Sequence, residues 1–243
     1  GLTDTCVQVI TEVDTLPPAI VCPADLTIEC SDPLPDPATV TATDNCDSNP
    51  TVGLVQTDQP LTCPQSRIIT RTWTAKDACG NEVSGVQVIM MLDRTAPELS
   101  AYPADATVEC DAVPPAETLT ATDNCDDTVH LTFTETSEGT CPTIIKRTWE
   151  AVDDCQNTKV WTQTLTVVDT KAPTVTSCPD DQTIECPATP VFGEPVFADA
   201  CDQQLAVTSS DSREDLTCGY KVTRTWTATD DCGLTATCDQ VIT

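Results

Sequence analysis

Short runs of alternating apolar and polar residues recur along the whole chain. Thr118-Leu119-Thr120-Ala121-Thr122, Val129-His130-Leu131-Thr132-Phe133-Thr134 and Leu165-Thr166-Val167-Val168 are examples. They are rich in Thr, Val and Ile and are separated by turns of Pro, Asp, Asn and Gly. A period of two sends every second side chain to one face, as a half-buried strand requires, and no stretch sustains the 3.6-residue period of a helix. The longest apolar run, Val88-Ile89-Met90-Met91-Leu92, is far too short to span a bilayer and reads as a strand.

One strand-and-turn phrase appears three times, as Arg71-Thr72-Trp73, Arg147-Thr148-Trp149 and Arg224-Thr225-Trp226. Each copy runs on into an acidic turn bearing Cys79, Cys155 or Cys232. The tryptophans lie 76 and 77 residues apart, so the chain is an array of small modules. Six or seven strands in about 77 residues describe an antiparallel β-sandwich of immunoglobulin type, with the tryptophan as its core anchor. Proline-bearing junctions, Asp14-Thr15-Leu16-Pro17-Pro18, Asp93-Arg94-Thr95-Ala96-Pro97 and Asp169-Thr170-Lys171-Ala172-Pro173, mark the module starts. The expected domains are 14–92, 93–168 and 169–243. Residues 1–13 are the last strand of an upstream module, because Gly1–Thr11 nearly repeats Gly233–Thr243. The fold class expected is all-β, tandem immunoglobulin-like sandwiches set end to end as a rod.

Composition sharpens this picture. Modules of this size hold a marginal core and need covalent staples, and sixteen cysteines supply them. The absence of any Cys-x-x-Cys pair and the presence of a single histidine, His130, favour disulfides over zinc and an oxidising, extracellular compartment. A formal charge of −28 with 11 Lys+Arg repels phosphate backbones and anionic lipid. Nucleic acid is therefore excluded as a partner, and the chain is not membrane-embedded.

Alignment of the modules gives up to six cysteine positions, all occupied in the third module. The second module lacks the first and sixth, which hold Tyr102 and Trp161, so these two positions should touch and Cys178 should pair with Cys238. In an immunoglobulin-like order, positions two and four fall at the trailing pole of a module, and positions three and five at the leading pole. This predicts Cys30–Cys63, Cys110–Cys141 and Cys186–Cys218 at one pole and Cys46–Cys79, Cys125–Cys155 and Cys201–Cys232 at the other. Cys22 faces position Gly85 and is left either free or bridged to Cys6.

The same topology gathers carboxylates at each leading pole: Asp14, Asp44, Asp47 and Asp77; Asp93, Asp123, Asp126 and Asp153; Asp169, Asp199, Asp202 and Asp230. Oxygen ligands from separate loops at a seam suit calcium, the one cofactor candidate. The competing reading is that these aspartates cap turns.

Ala-Pro junctions, Cys-Pro-x-Asp, Val/Ile-Glu-Cys, Ala-Thr-Asp-Asn-Cys and Arg-Thr-Trp-x-Ala-x-Asp-x-Cys-Gly resemble repeats of very large surface proteins of Bacteroidota, including SprB-type gliding adhesins. They are also similar to hyalin-repeat (HYR) domains. The resemblance spans essentially the whole chain. It implies an immunoglobulin-like fold, export to the cell surface by the type IX route, and a part in cell adhesion, surface filaments or gliding. The partners it implies are an extracellular surface, a glycan ligand or other copies in a filament. It also implies O-glycosylation at Asp-Ser/Thr-apolar sequences, which Thr15 and Thr128 fit. Lacking a Gly-x-Ser-x-Gly element and a phosphate loop, the chain reads as no enzyme. Two roles remain open, an adhesive filament whose modules bind a ligand (Phe192 and Tyr220 being the spare aromatics) and a passive stalk or sheath-forming spacer.

Overall fold

A computed structural model describes residues 1–243, and its regular elements are all strands but for one 3-10 turn at Cys110–Ala112. Residues 1–18 form no strand, so the strand expected over residues 1–13 is not formed: no sheet of the three modules pairs with it. The first module contains β1 (Ala19–Ile20), β2 (Leu26–Glu29), β3 (Ala42–Thr43), β4 (Thr51–Pro60), β5 (Arg67–Lys76) and β6 (Glu82–Leu92). The second repeats them as β7 (Glu98–Leu99), β8 (Ala106–Glu109), β9 (Ala121–Thr122), β10 (His130–Glu138), β11 (Thr143–Val152) and β12 (Thr158–Val168). In the third they recur as β13 (Thr174–Ser177), β14 (Val196–Ala198), β15 (Ala206–Leu216), β16 (Gly219–Thr229) and β17 (Thr235–Ile242).

Each module pairs a two-stranded sheet with a larger one. In the first, β1 runs antiparallel to β3, while the larger sheet has the order β2-β6-β5-β4, with β2 parallel to β6. The second keeps this plan, with β8 parallel to β12. In the third the parallel strand shrinks to a single bridge, Gln182 to Ile242. These are tandem β-sandwich repeats, as the alternation requires. By compactness the chain divides into two units. One comprises residues 1–100, 120–131 and 151–159, and the other 101–119, 132–150 and 160–243, the division passing through the second module.

The core follows the tryptophan strand. Trp73, Trp149 and Trp226 are buried, and Ala75, Ala151 and Ala228, two residues on along the same face, are wholly so. Ile69, Ile89 and Met91 close the first core, packed by Ile28 and Leu34. Phe133 lies against Trp149, with centroids 5.2 Å apart. Small cores need polar reinforcement, and two polar residues recur in register, the glutamine buried throughout and the arginine buried in the first two modules. A glutamine on the last strand (Gln87, Gln163 or Gln240) donates through Nε2 to the carbonyl of Ala24, Ala104 or Asp180, at 2.7 Å each time. The arginine of the tryptophan phrase donates to Gln56 and the Pro35 carbonyl in the first module, and to Glu135 and the Pro114 carbonyl in the second. Its third copy makes a two-point pair with Asp211. Neither role was expected from the sequence, although both residues keep a fixed distance from each tryptophan.

The first and sixth cysteine positions do face each other in all three modules. In the third, Cys178 is bonded to Cys238. In the second, Tyr102 and Trp161 meet edge to face at 5.1 Å, and the indole N–H donates to the Pro103 carbonyl. In the first, the Cys22 sulfur stands against Gly85, in the space a side chain there would need. Cys22 and Cys6 are both free, so no bond joins them.

Candidate functional site

The repeated chemistry of this chain lies at the module poles. Each leading pole is organised by aspartates that act as turn frames. Asp44 Oδ1 accepts from the backbone N–H of Cys46 and Asp47; Asp123 and Asp199 do the same for Cys125/Asp126 and Cys201/Asp202. Asp47, Asp126 and Asp202 then reach across with Oδ2 to the N–H of Ala78, Asp154 and Asp231, tying the two cysteine loops of the pole together. Asp77, Asp153 and Asp230 receive the N–H of Asn81, Asn157 and Leu234 and hold the turn after the tryptophan strand. In that turn Gly80, Gln156 and Gly233 take positive φ. Asp14, Asp93 and Asp169 cap the N–H of Leu16, Thr95 and Lys171. The turn-capping reading therefore describes all twelve residues.

Capping uses one oxygen of several of these carboxylates and leaves the other bare. Asp44 Oδ2, Asp93 Oδ2, Asp123 Oδ2, Asp126 Oδ1 and Asp230 Oδ2 are buried without a partner. Carboxylate oxygens of Asp93, Asp126 and Asp153 converge within 4.8 Å, and those of Asp14, Asp44 and Asp77 do likewise. At the third pole Asp169 and Asp199 converge only with the sulfur of Cys201, which is bonded elsewhere. Burial and the neighbouring carboxylates of Asp123, Asp126 and Asp153 push the Asp93 carboxyl above its ordinary range. Burial, with Asp154, Asp153 and Asp123, does the same to Asp126.

The cysteines of each pole bond outward rather than to each other. The structure joins Cys30 to Cys125 and Cys63 to Cys155 at the first seam, and Cys110 to Cys201 and Cys141 to Cys232 at the second. This corrects the expected pairs Cys30–Cys63, Cys110–Cys141, Cys125–Cys155 and Cys201–Cys232. Cys46, Cys79, Cys186 and Cys218 are free, so Cys46–Cys79 and Cys186–Cys218 are not formed. The assignment of cysteines to poles stands, for Cys30 and Cys63 line one cavity and Cys186 and Cys218 another. What strand direction could not show is that a trailing pole abuts the next leading pole. The linker is too short to hold them apart, and each cysteine meets its counterpart across the seam before it meets its neighbour on the same pole.

Polar contacts grip the linkers. Glu29, from the Ile-Glu-Cys phrase, accepts from the Arg94 N–H at 2.7 Å and from the Thr95 hydroxyl, while Glu109 repeats this with Thr170. Asn124 donates to Ser31 Oγ, and Gln65 to the Cys125 carbonyl, across the first seam. Lys171 pairs with Asp111 at 2.6 Å at the second. The spare aromatics are engaged within the third module. Phe192 packs edge-on to Trp226 beneath the Arg224 guanidinium, and Tyr220 lies under that of Arg213. Thr15, Thr128 and His130 are exposed. No helix is long and apolar enough to cross a membrane.

No curated protein matches this chain. Among solved structures, the protocadherin gammaB7 EC3-6 cis-dimer is 13% identical with a TM-score of 0.37, covering 93% of this chain and 77% of that one. The protocadherin gammaB4 extracellular domain is 14% identical with a TM-score of 0.34, covering 93% of this chain and half of that one. Mouse cadherin-23 EC22-24 is 12% identical with a TM-score of 0.36, covering 93% of this chain and 98% of that one. These superpositions are loose, and nothing further follows from them. The model of an HYR-like domain with 4 cysteines matches residues 99–167 and again 174–243, more than half of the chain. The chain thus belongs to the family of HYR-like domains with four cysteines, a repeat-type rather than an enzymatic family.

Proposed function

We propose that this chain is a force-bearing stretch of a large extracellular repeat protein, with a structural and adhesive role. In finer terms it belongs to a bacterial cell-surface adhesin or filament, of the kind exported by the type IX route and used in surface attachment or gliding. The observation that carries the reading is the overlap of the disulfide loops. Cys30–Cys125, Cys63–Cys155, Cys110–Cys201, Cys141–Cys232 and Cys178–Cys238 interleave, so each bridge begins before the previous one ends. With every bond intact, the shortest covalent path runs from Gly1 to Cys30, across to Cys125, on to Cys141, across to Cys232 and out to Thr243. It bypasses Ser31–Asn124 and Pro142–Asp231. Even fully unfolded, the bridged chain would extend to roughly 200 Å, against roughly 850 Å for the reduced one, at about 3.5 Å per residue.

Bridges confined to single modules would let modules be drawn out one after another; interleaved ones prevent that. The bonds also close loops of 91–95 residues at the seams. In a chain-entropy view each restricts the unfolded state by about 4–5 kcal/mol, less when loops overlap. Single-molecule stretching between the termini tests the reading. Most of the contour should be withheld under oxidising conditions and released by a reductant. Full release without reductant would sink it.

A second reading, a passive stalk or sheath-forming spacer, is favoured by the engagement of Phe192 and Tyr220 within their own module. Binding of the 243-residue chain to glycan arrays or abiotic surfaces separates the two. Measurable binding supports adhesion by the modules themselves, and none supports the spacer. Thr15 and Thr128 are exposed and offer hydroxyls for the O-glycosylation that the finer reading carries with it.

A further inference from the structure

We propose that Asp93, Asp123, Asp126 and Asp153 form a calcium site at the first seam, walled by the Cys30–Cys125 and Cys63–Cys155 bridges. Asp93 and Asp126 are 7% exposed and Asp153 is 2% exposed, so three carboxylates share one nearly dry space. One oxygen each of Asp93, Asp123 and Asp126 has no hydrogen-bond partner there. The convergence of Asp93, Asp126 and Asp153 within 4.8 Å matches the span of ligands around one ion, since calcium binds oxygen at about 2.3–2.6 Å. The charged groups that act on Asp93 and Asp126 are themselves carboxylates, set against one backbone N–H each, from Thr95 and Asp154. Burying several like charges without a counter-ion is among the costliest arrangements in a protein, and a divalent cation relieves it. Sulfur takes no part, because Cys63, Cys125 and Cys155 are all bonded. The other two poles are weaker candidates, with a single buried aspartate each, Asp77 and Asp230.

The test is calcium chloride titrated into the chelator-stripped chain, followed by calorimetry and thermal melting. Binding should raise the melting midpoint by several degrees. Asp93→Asn and Asp126→Asn keep a capping oxygen but lose the charge. Each should weaken calcium binding by about tenfold or more while leaving the β-sheet circular dichroism unchanged. Asp44→Asn, at the first pole, should bind as the parent does. No heat and no shift up to about 10 mM calcium would overturn the site. So would seam variants that bind as tightly as the parent, or a loss confined to Asp44→Asn.

The free cysteines carry a second, independent inference. Cys186 and Cys218 are exposed and line one cavity at a trailing pole, as Cys30 and Cys63 do. Cys46 and Cys79 are exposed at a leading pole, where Cys125 and Cys155 stand in the next module. We infer that these poles mate with the complementary pole of another module of this kind, Cys186 closing on Cys46 and Cys218 on Cys79. Each bond takes two thiols to one disulfide, releasing two protons and two electrons, and the electrons reduce a small-molecule disulfide to two thiols. Incubating the concentrated chain with glutathione disulfide should therefore yield covalent oligomers containing Cys46–Cys186 and Cys79–Cys218 peptides. The Cys46→Ser/Cys79→Ser variant should stay monomeric. A monomer carrying Cys46–Cys79 and Cys186–Cys218 bonds would overturn the inference, as would oligomers linked through other cysteines.

Discussion

At the level of single residues, each module balances a small apolar core against a large number of polar restraints. Trp149 is 2% exposed and packs on Phe133, so its removal empties the centre of the second module. Trp149→Ala should cost about 3–5 kcal/mol in a denaturant melt under oxidising conditions, by loss of transfer energy plus the cavity left behind. The three tryptophans were legible because a bulky residue recurring on an alternating strand has few places to go but inward. The turn-framing aspartates were half legible. The sequence shows them clustered at one pole, but it does not say which oxygen caps a backbone N–H and which is left over. That division decides between a turn and a cation site, and it is set by the folded geometry of the pole. The shared role of Gln87, Gln163 and Gln240 is not legible in the sequence, because a lone glutamine in a strand ordinarily reads as solvent-facing.

At the level of elements, register explains more than composition does. Gly85 and Cys238 occupy the same place, each opposite the tryptophan of the neighbouring strand. The Cys22 side chain stands over Gly85, with its Cβ 3.4 Å from where a glycine Cβ would be. Gly85→Cys should accordingly close a bond with Cys22, the equivalent of Cys178–Cys238, after modest adjustment of the two side chains. A rise in melting midpoint that disappears on reduction would confirm it, while a free thiol count increased by one would refute it. The pairing of positions one and six was readable because two cysteines vanish together in the second module and aromatics replace both. The linker grip of Glu29 and Glu109 was not readable, since a glutamate beside a cysteine carries no mark of what lies across a seam. Glu29→Ala should lower the melting midpoint by a few degrees, whereas Glu29→Gln, which can still accept from the Arg94 N–H, should lower it less.

On the scale of the whole molecule, the decisive fact is which cysteine meets which. Strand directions, set by short alternating runs and their turns, place positions two and four at one pole and three and five at the other, and the structure keeps that placement. They do not reveal whether a pole's cysteines bond to each other or to the next module, because that depends on how closely consecutive poles approach. The closed set of four cysteines in the second module pointed towards self-sufficiency, yet all four bond outside it. Peptide mapping of the oxidised chain by mass spectrometry, without reductant and at a pH low enough to prevent thiol exchange, tests this most directly. The expected linked peptides are Cys30–Cys125, Cys63–Cys155, Cys110–Cys201 and Cys141–Cys232, and the contrary result would be Cys110–Cys141 and Cys125–Cys155 closed within the second module.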